Sequence, residues 1–157
     1  MLKDLVGAVW RRMPRGIRRQ VVRMTHTRFV VSAGGIITDD HGRVLLLKHR
    51  FRPGSGWGMP GGFMQNGERP EDALHRELQE EVGLKLDKPT LLTTRAFIEP
   101  KQIEIVFRCR ALGETNELSF EIEKAAWFYP DELPKELPKD QVELIKSAFD
   151  DGASPRD

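Results

Sequence analysis

Apolar residues recur every three or four positions through the first 24 residues: Leu2, Leu5, Val6, Val9, Trp10 and Met13, then Ile17, Val21 and Met24. That spacing predicts an amphipathic helix, divided in two by Pro14 and Gly16. From Arg28 the period changes. Phe29-Val30-Val31 and Ile36-Ile37 read as a buried strand around Gly34-Gly35, Asp39-Asp40-His41-Gly42 supplies turn chemistry, and Arg43–Lys48 completes a hairpin. Phe51 to Gly67 is rich in Gly and Pro and reads as a loop, interrupted by a short strand near Trp57–Met59. Residues 70–82 predict a helix, with Pro70 at its first position, Glu71 and Asp72 in its first turn and Gly83 just past its end. Strands are expected over 90–98 and 102–110, then a polar loop over 112–122 and a last strand over Ala125–Tyr129. A turn with Pro130, Pro134 and Pro138 leads to a helix over 139–149, and residues 151–157 read as a frayed tail. Strands and helices mixed in this order, with antiparallel neighbours, predict an α/β fold: an α/β/α sandwich on a mixed sheet, preceded by a helical arm.

Composition narrows the class. The chain has 157 residues, 39% of them hydrophobic, with 14 glycines, which suits one compact domain and excludes a chain disordered throughout. No run approaches the roughly 18 apolar residues of a membrane span, the best (Val44-Leu45-Leu46-Leu47) being stopped by Lys48, His49 and Arg50. Cys109 is alone, so no intrachain disulfide can form; it lies in an apolar run and is expected to be a buried thiol, in keeping with a reducing, cytoplasmic compartment.

The net charge of +1 conceals an asymmetry. Residues 1–28 hold eight of the 25 Lys and Arg and one of the 24 Asp and Glu, so this segment carries +7 and leaves −6 on the remainder. We therefore expect a basic arm over 1–27 and a separate acidic domain over 28–150. The arm has almost no Ser and no apolar core with a small-residue cleavage site, which argues against a targeting peptide. Packing on the domain, or on a partner subunit in a homodimer, with the arginines in solvent, is the reading its pattern favours; an anionic membrane surface or a nucleic acid are the other partners it admits.

The chemistry is expected on the helix over 70–82. With Glu77 at 0° and about 100° per residue, Glu80 falls at about 300° and Glu81 at about 40°, so three carboxylates share an arc of about 100°. Leu74, Leu78 and Val82 fall at about 60°, 100° and 140°, which makes the adjoining stripe the core face. Like charges at this spacing weaken a helix, so they call for solvent or a cation, and hard divalent cations of the Mg²⁺ type prefer clustered carboxylate oxygens. Arg76, at about 260°, lies on the side of Glu80 away from the core, where it can pair with Glu68 and fix the preceding loop on the helix.

Around that helix the spacing is specific. Gly62 is followed after five residues by Glu68, after seven more by Arg76-Glu77-Leu78, then by Glu80-Glu81 and Gly83-Leu84. This stretch resembles the signature of the Nudix hydrolases at every fixed position from Gly62 to Leu84, and the likeness extends to Trp57-Gly58-Met59-Pro60-Gly61-Gly62 before it and to Glu121 through Phe128 after it. The resemblance implies a Mg²⁺-dependent pyrophosphohydrolase, with Mn²⁺ as a substitute, acting on a nucleoside diphosphate linked to another moiety. ADP-ribose or a nucleotide sugar comes first among such substrates and a nucleoside triphosphate next.

It also implies roles for single residues. The Gly61 carbonyl joins Glu77, Glu80 and Glu81 around the metal, with Arg76 and Glu68 in support and Glu68 within reach of the ion. The general base is left open among Glu77, Glu80 and a residue of the 112–122 loop. Glu121, six residues before Trp127, stands where several MutT-like relatives carry a metal-binding or base glutamate, and it is expected to contribute to the site. Arg50 and Arg52, flanking Phe51, are candidates for meeting phosphate and stacking on a base or sugar; Trp57 is expected in a wall of the core. Two other functions stay open: removal of diphosphate from the 5′ end of RNA, and a non-catalytic nucleotide-binding module, against which the intact set Glu68, Glu77, Glu80 and Glu81 argues.

Overall fold

A computed structural model describes residues 2–150, the side chains of Leu2, Asp4 and Leu5 excepted, and the expected tail over 151–157 lies outside these residues. Two compact units divide at Val30/Val31. The first contains α1 (Leu2–Arg12) and α2 (Arg15–Thr25). Pro14 stands at the start of α2, where its missing N–H does no harm. Gly16, expected to share in the break, instead lies inside α2.

The second unit is built on β1 (Val30–Thr38), β2 (Val44–His49), β3 (Trp57–Gly58), β4 (Gly61–Phe63), α3 (Pro70–Val82), β5 (Lys85–Leu86), β6 (Thr90–Phe97), β7 (Gln102–Leu112), β8 (Ile122–Phe128) and α4 (Lys139–Asp150). The sheet is mixed. β1 pairs antiparallel with β2 and β4, β2 with β3 and β8, and β7 with β5 and β6. β1 and β7 are neighbours that run parallel: Gln102 Nε2 donates to Ser32 Oγ at 2.7 Å near their starts, and Thr38 Oγ1 to the Cys109 carbonyl at 3.5 Å near their ends.

Alternation along β2 divides the core between the two helices. Leu45 and Leu47 point to the α3 side, where they join Leu74, Leu78 and Val82; Val44 and Leu46 point to the α4 side, with Ile145 and Ala148. All four β2 residues are fully buried, as a strand covered on both faces must be. Cys109 is buried on the α3 side, and burial pushes its thiol up to about 12, so it is an inert apolar group at neutral pH.

The helix over 70–82 forms as its caps dictate. Gly83 takes the left-handed conformation (φ 65°), and the N–H groups of Gly83 and Leu84 return to the carbonyls of Gln79 and Leu78. The loop expected over 51–67 differs from expectation in one respect. It contains β4 as well as β3, because Ser32, Ala33 and Gly34 of β1 offer an open edge on which Phe63, Gly62 and Gly61 pair. Gly61 makes this possible: at φ 140° a Cβ would fall 2.2 Å from the Ala33 carbonyl oxygen. β5 is also beyond the expected elements, and β8 starts three residues earlier than its apolar run suggests.

The β1–β2 turn is held by Asp39. Its Oδ1 accepts the N–H groups of His41 (3.0 Å) and Arg43 (2.8 Å), and its Oδ2 accepts Arg43 Nε at 2.7 Å. Burial alone would raise this carboxyl, but these hydrogen bonds outweigh it and hold it below its ordinary value. A depressed folded-state pKa gives stability that is present above the unfolded pKa and lost as pH falls through the folded one. Asp39→Ala should therefore cost on the order of 1–2 kcal/mol at neutral pH. In urea titrations at several pH values, the gap between wild type and variant should close as pH falls below about 4.

Candidate active site

The carboxylates of α3 stand beside its apolar stripe, and their fates diverge with the angle each makes to the sheet. Glu80 is exposed, Glu77 half-buried and Glu81 buried. Arg76 organises the outer part. Its Nε and Nη2 take both oxygens of Glu68 at 2.8 and 3.0 Å, Nη2 also reaches the Phe63 carbonyl at 3.0 Å, and Nη1 meets Glu77 at 2.7 Å and Glu80 at 3.3 Å. One guanidinium thus ties the end of β4, the loop residue Glu68 and two helix carboxylates together. The hydrogen bonds to Glu68, with those to Glu77, hold Arg76 firmly protonated, and the same bonds, with the Gln65 N–H at 2.8 Å, hold the Glu68 carboxyl below its ordinary value.

Glu81 is the opposite case. Burial, then the charge of Glu77, push its carboxyl up to about 8; Arg52 opposes the shift, and Glu121 and Glu80 add to it. Its Oε2 is buried with no hydrogen-bond partner. Its Oε1 lies 3.7 Å from His49 Nδ1, but burial and the charge of Arg52 bring His49 down to about 4, so the imidazole is neutral at neutral pH and this contact is not an ion pair. His49 Nε2 is likewise buried without a partner. Sequence reasoning passed over His49, whose place at the end of β2 carried no signal of its own.

The Gly61-Gly62 strand closes on this group from the side of the sheet. A Cβ on Gly62 would lie 2.3–2.6 Å from the Glu77 carboxyl, so only glycine lets the β4 backbone meet that side chain. From the other end comes the 113–121 loop. The N–H groups of Asn116 and Ser119 bond the Val82 and Glu81 carbonyls at 2.8 and 2.9 Å, which satisfies two carbonyls that the helix end leaves open. Glu121 is exposed at the end of this loop, with its carboxylate in electrostatic reach of Glu81. Glu123, in contrast, is held by Lys48 Nζ at 2.8 Å.

The residues flagged around Phe51 are split by the structure. Arg50 and Phe51 are exposed beside Phe120: the Arg50 guanidinium lies 5.0 Å from the Phe120 ring centroid, the two phenyl rings are 5.7 Å apart, and the Arg50 N–H bonds the Glu121 carbonyl at 2.8 Å. Arg52 turns inward. Its Nη1 is buried without a partner, and a Cβ on Gly58 would fall 1.7 Å from that atom. It faces a cavity of about 310 Å³ whose wall includes Gly61, Gly62, Gln102, Glu104 and Gln141. Gln102 and Glu104 lie on β7 and Gln141 on α4, too far away in sequence to be associated with α3 by pattern. Trp57 packs edge-on against Phe128 (centroids 5.4 Å apart), in a wall of the α4-side core.

A divalent cation is the group such a site implies, and the side chains can be tested against it. Among the described residues no three His, Cys, Asp or Glu side chains converge tightly enough to hold an ion as they stand, because Arg76 draws Glu77 and Glu80 to itself. The donor set nevertheless fits. Glu81 presents a buried carboxylate oxygen with no partner, its protonation is favoured first by burial and then by the acids around it, and these carboxylates are the hard oxygen donors that Mg²⁺ or Mn²⁺ takes.

Known proteins resemble this chain. The NUDIX domain family matches residues 28–148. A "MutT-like protein" of Streptomyces ambofaciens is 31% identical over 80% of this chain and 79% of its own length. An "ADP-ribose pyrophosphatase" of Methanocaldococcus jannaschii is 33% identical over 74% of this chain and 70% of its own. Among solved structures, a MutT NUDIX hydrolase from Burkholderia pseudomallei superposes with a TM-score of 0.68 at 31% identity, covering 76% of this chain and 98% of that one.

The Arg76 clamp leads to a structural prediction. Arg76→Ala should leave the α3 core in place and free the 63–68 loop. Amide hydrogen exchange over residues 63–68 should quicken by at least about tenfold, the equivalent of one charged hydrogen bond, while Leu74 and Leu78 stay protected. Unchanged exchange in that loop would show that Arg76 does not hold it.

Proposed function

The chain belongs to the NUDIX family of hydrolases, and from that membership and the site's geometry we propose that it is a divalent-metal-dependent pyrophosphohydrolase cleaving a nucleoside diphosphate linked to another moiety. ADP-ribose or a nucleotide sugar is the favoured substrate and a nucleoside triphosphate the next. The observation that carries this reading is Glu81. A buried carboxyl pushed up to about 8, with one oxygen unpartnered, is an arrangement that a cation would relieve and that a fold without that task would avoid.

Glu77, Glu80 and Glu81 would hold the ion, with the Gly61 carbonyl beside them and Glu121 reaching in from outside the helix. The chemistry such a cation would supply is neutralisation of the diphosphate's charge and acidification of a water. The chain's own residues do the rest. Glu68 and Arg76 fix the loop between β4 and α3, so that the main chain at Gly61 and Gly62 stays against Glu77. Arg52, with its free Nη1 between Glu81 and the cavity wall, is placed to meet a phosphate oxygen as the substrate's second moiety enters the cavity. A carboxylate of the cluster would take the proton from the attacking water as the water oxygen bonds phosphorus and the P–O anhydride bond breaks, the second phosphate leaving with the bridging oxygen; clustered acids titrate as a group, so the proton step belongs to the set.

Hydrolysis should require Mg²⁺ or Mn²⁺. Glu77→Gln and Glu81→Gln should each lower turnover on the order of 10³-fold or more while the fold persists, and metal-free Glu81→Gln should melt no lower than wild type, because it removes a carboxylate from a repelling group. A panel of ADP-ribose, nucleotide sugars and nucleoside triphosphates, with products resolved by chromatography, ranks the substrates. Full activity in both variants, or turnover in chelator, would overturn the reading.

Glu121 has its own comparison. Glu121→Gln should impair turnover and metal dependence, whereas Glu123→Gln, which removes only the bridge to Lys48, and Glu117→Gln should not. Sensitivity at either neighbour in place of Glu121 would reject this assignment.

A further inference from the structure

None of the residues assigned to the site above comes from the two helices that precede the hydrolase domain, and the surface of these helices is of a different kind. On α2, at about 100° per residue, Arg15, Arg18, Arg19 and Arg23 fall within an arc of about 140°, and Ile17, Val21 and Met24 fall within about 60° on the opposite side. α2 has no acidic residue and no buried one; Ile17 is 51% and Met24 80% exposed. On α1, Val6, Val9 and Trp10 are also exposed. Val21 is half-buried and Arg18 donates to the Met13 carbonyl at 2.9 Å, but Ile17 and Met24 on one face and Arg19 and Arg23 on the other are exposed and open to a partner.

A cavity lies along the seam between the two faces of α2. It measures about 480 Å³ and is lined by Gly16, Arg19, Gln20, Arg23, Met24 and the following Arg28. Among the described residues three guanidinium groups border it and no carboxylate does, while Met24 carries the wall onto the apolar stripe. Guanidinium groups suit the oxygens of phosphate, so the seam calls for an anion that has apolar material directly beneath it.

Charge and apolarity together select the occupant. A nucleic acid supplies phosphates but leaves Ile17, Val21 and Met24 in water, because its outer surface is the phosphate backbone. The acidic domain of a second copy supplies net charge but no phosphate for the seam. An anionic bilayer supplies both, with headgroup phosphates at the level of the arginines and acyl chains below. Spanning is excluded for these helices: 11 residues rise about 16 Å against a hydrocarbon thickness of about 30 Å, and among the described residues no helix is long and apolar enough to cross a membrane.

We propose that α2 is a membrane-surface anchor. It lies in the plane of an anionic phospholipid surface, with Arg19, Arg23 and Arg28 around a headgroup phosphate and Ile17, Val21 and Met24 at the acyl boundary.

The test is co-sedimentation of the full chain with vesicles, which does not depend on hydrolysis. The chain should pellet with vesicles of mixed phosphatidylcholine and phosphatidylglycerol, stay in solution with phosphatidylcholine alone, and release progressively as salt rises. Replacing Arg19, Arg23 and Arg28 together by Ala should weaken vesicle binding on the order of 100-fold, about fivefold for each basic residue. Ile17→Ser with Met24→Ser should weaken it as well. Both variants should keep the wild-type thermal midpoint of the hydrolase domain, so that loss of binding is not loss of fold.

Failure of the wild-type chain to pellet with the mixed vesicles overturns the proposal. So does tighter binding to a single-stranded RNA oligonucleotide that the Ile17→Ser, Met24→Ser variant leaves unchanged, which would make the arm a nucleic-acid surface. A dimer dissociated by that variant, without vesicle binding, overturns it in favour of a second copy of the chain.

Discussion

A carboxylate leaves water only against opposition, and in this protein the site is arranged around one that has done so. Glu81 sits next to Leu74, Leu78 and Val82 in the angular order of α3, so packing the apolar stripe on the sheet carries Glu81 in with it. Its neighbours do not compensate: Glu77, Glu80 and Glu121 are acids, His49 is neutral, and Arg52 opposes the shift without bonding Glu81 Oε2. The stability of the helix and the poise of its carboxyl are therefore in conflict. That conflict is characteristic of places where function, and not folding, selects the residues.

The scaffold is rigid where this tension needs it to be. Helix α3 is fixed by its apolar stripe below and by Gly83 at its end; Arg76 then spreads over its outer acids and pins the loop that comes from β4. The order of these attachments explains why Arg76 and Glu81 behave so differently. Arg76 stands partly in solvent and meets charges that satisfy it, whereas Glu81 stands in the core's margin and meets none. A diphosphate with its cation would bring to the inner side what Arg76 already supplies to the outer one.

One irregularity, in the β2–β8 pairing, delivers the remaining acid. β2 and β8 pair from Val44–Phe128 to Lys48–Lys124, then the register shifts so that His49 faces Ile122. The extra residue is Glu123, which turns out to Lys48; Ile122 then joins Ala125 and Trp127 on the α3 side of the core despite an odd spacing. The same shift sets the Glu121 carbonyl against the Arg50 N–H and gathers Phe51 and Phe120 at one corner of the site. Without the bulge, strict alternation would bury Glu123 in place of Ile122.

The local sequence of α3 determined its span, its caps, its core stripe and the pairing of Arg76 with Glu68, because each depends on residues within a few turns of one another. The mixed sheet flanked by helices and the family to which the chain belongs were legible for the same reason: period and fixed spacing are short-range properties. What only the tertiary structure decided involves residues brought together from distant parts of the chain. β4 exists because β1 offers an edge, Arg52 turns its Nη1 inward because Gly58 leaves it room, and Gln102, Glu104 and Gln141 meet it across a cavity. Glu121 comes near Glu81 because Asn116 and Ser119 satisfy the open carbonyls of a helix some 35 residues earlier, a requirement of backbone hydrogen bonding that no side-chain pattern records.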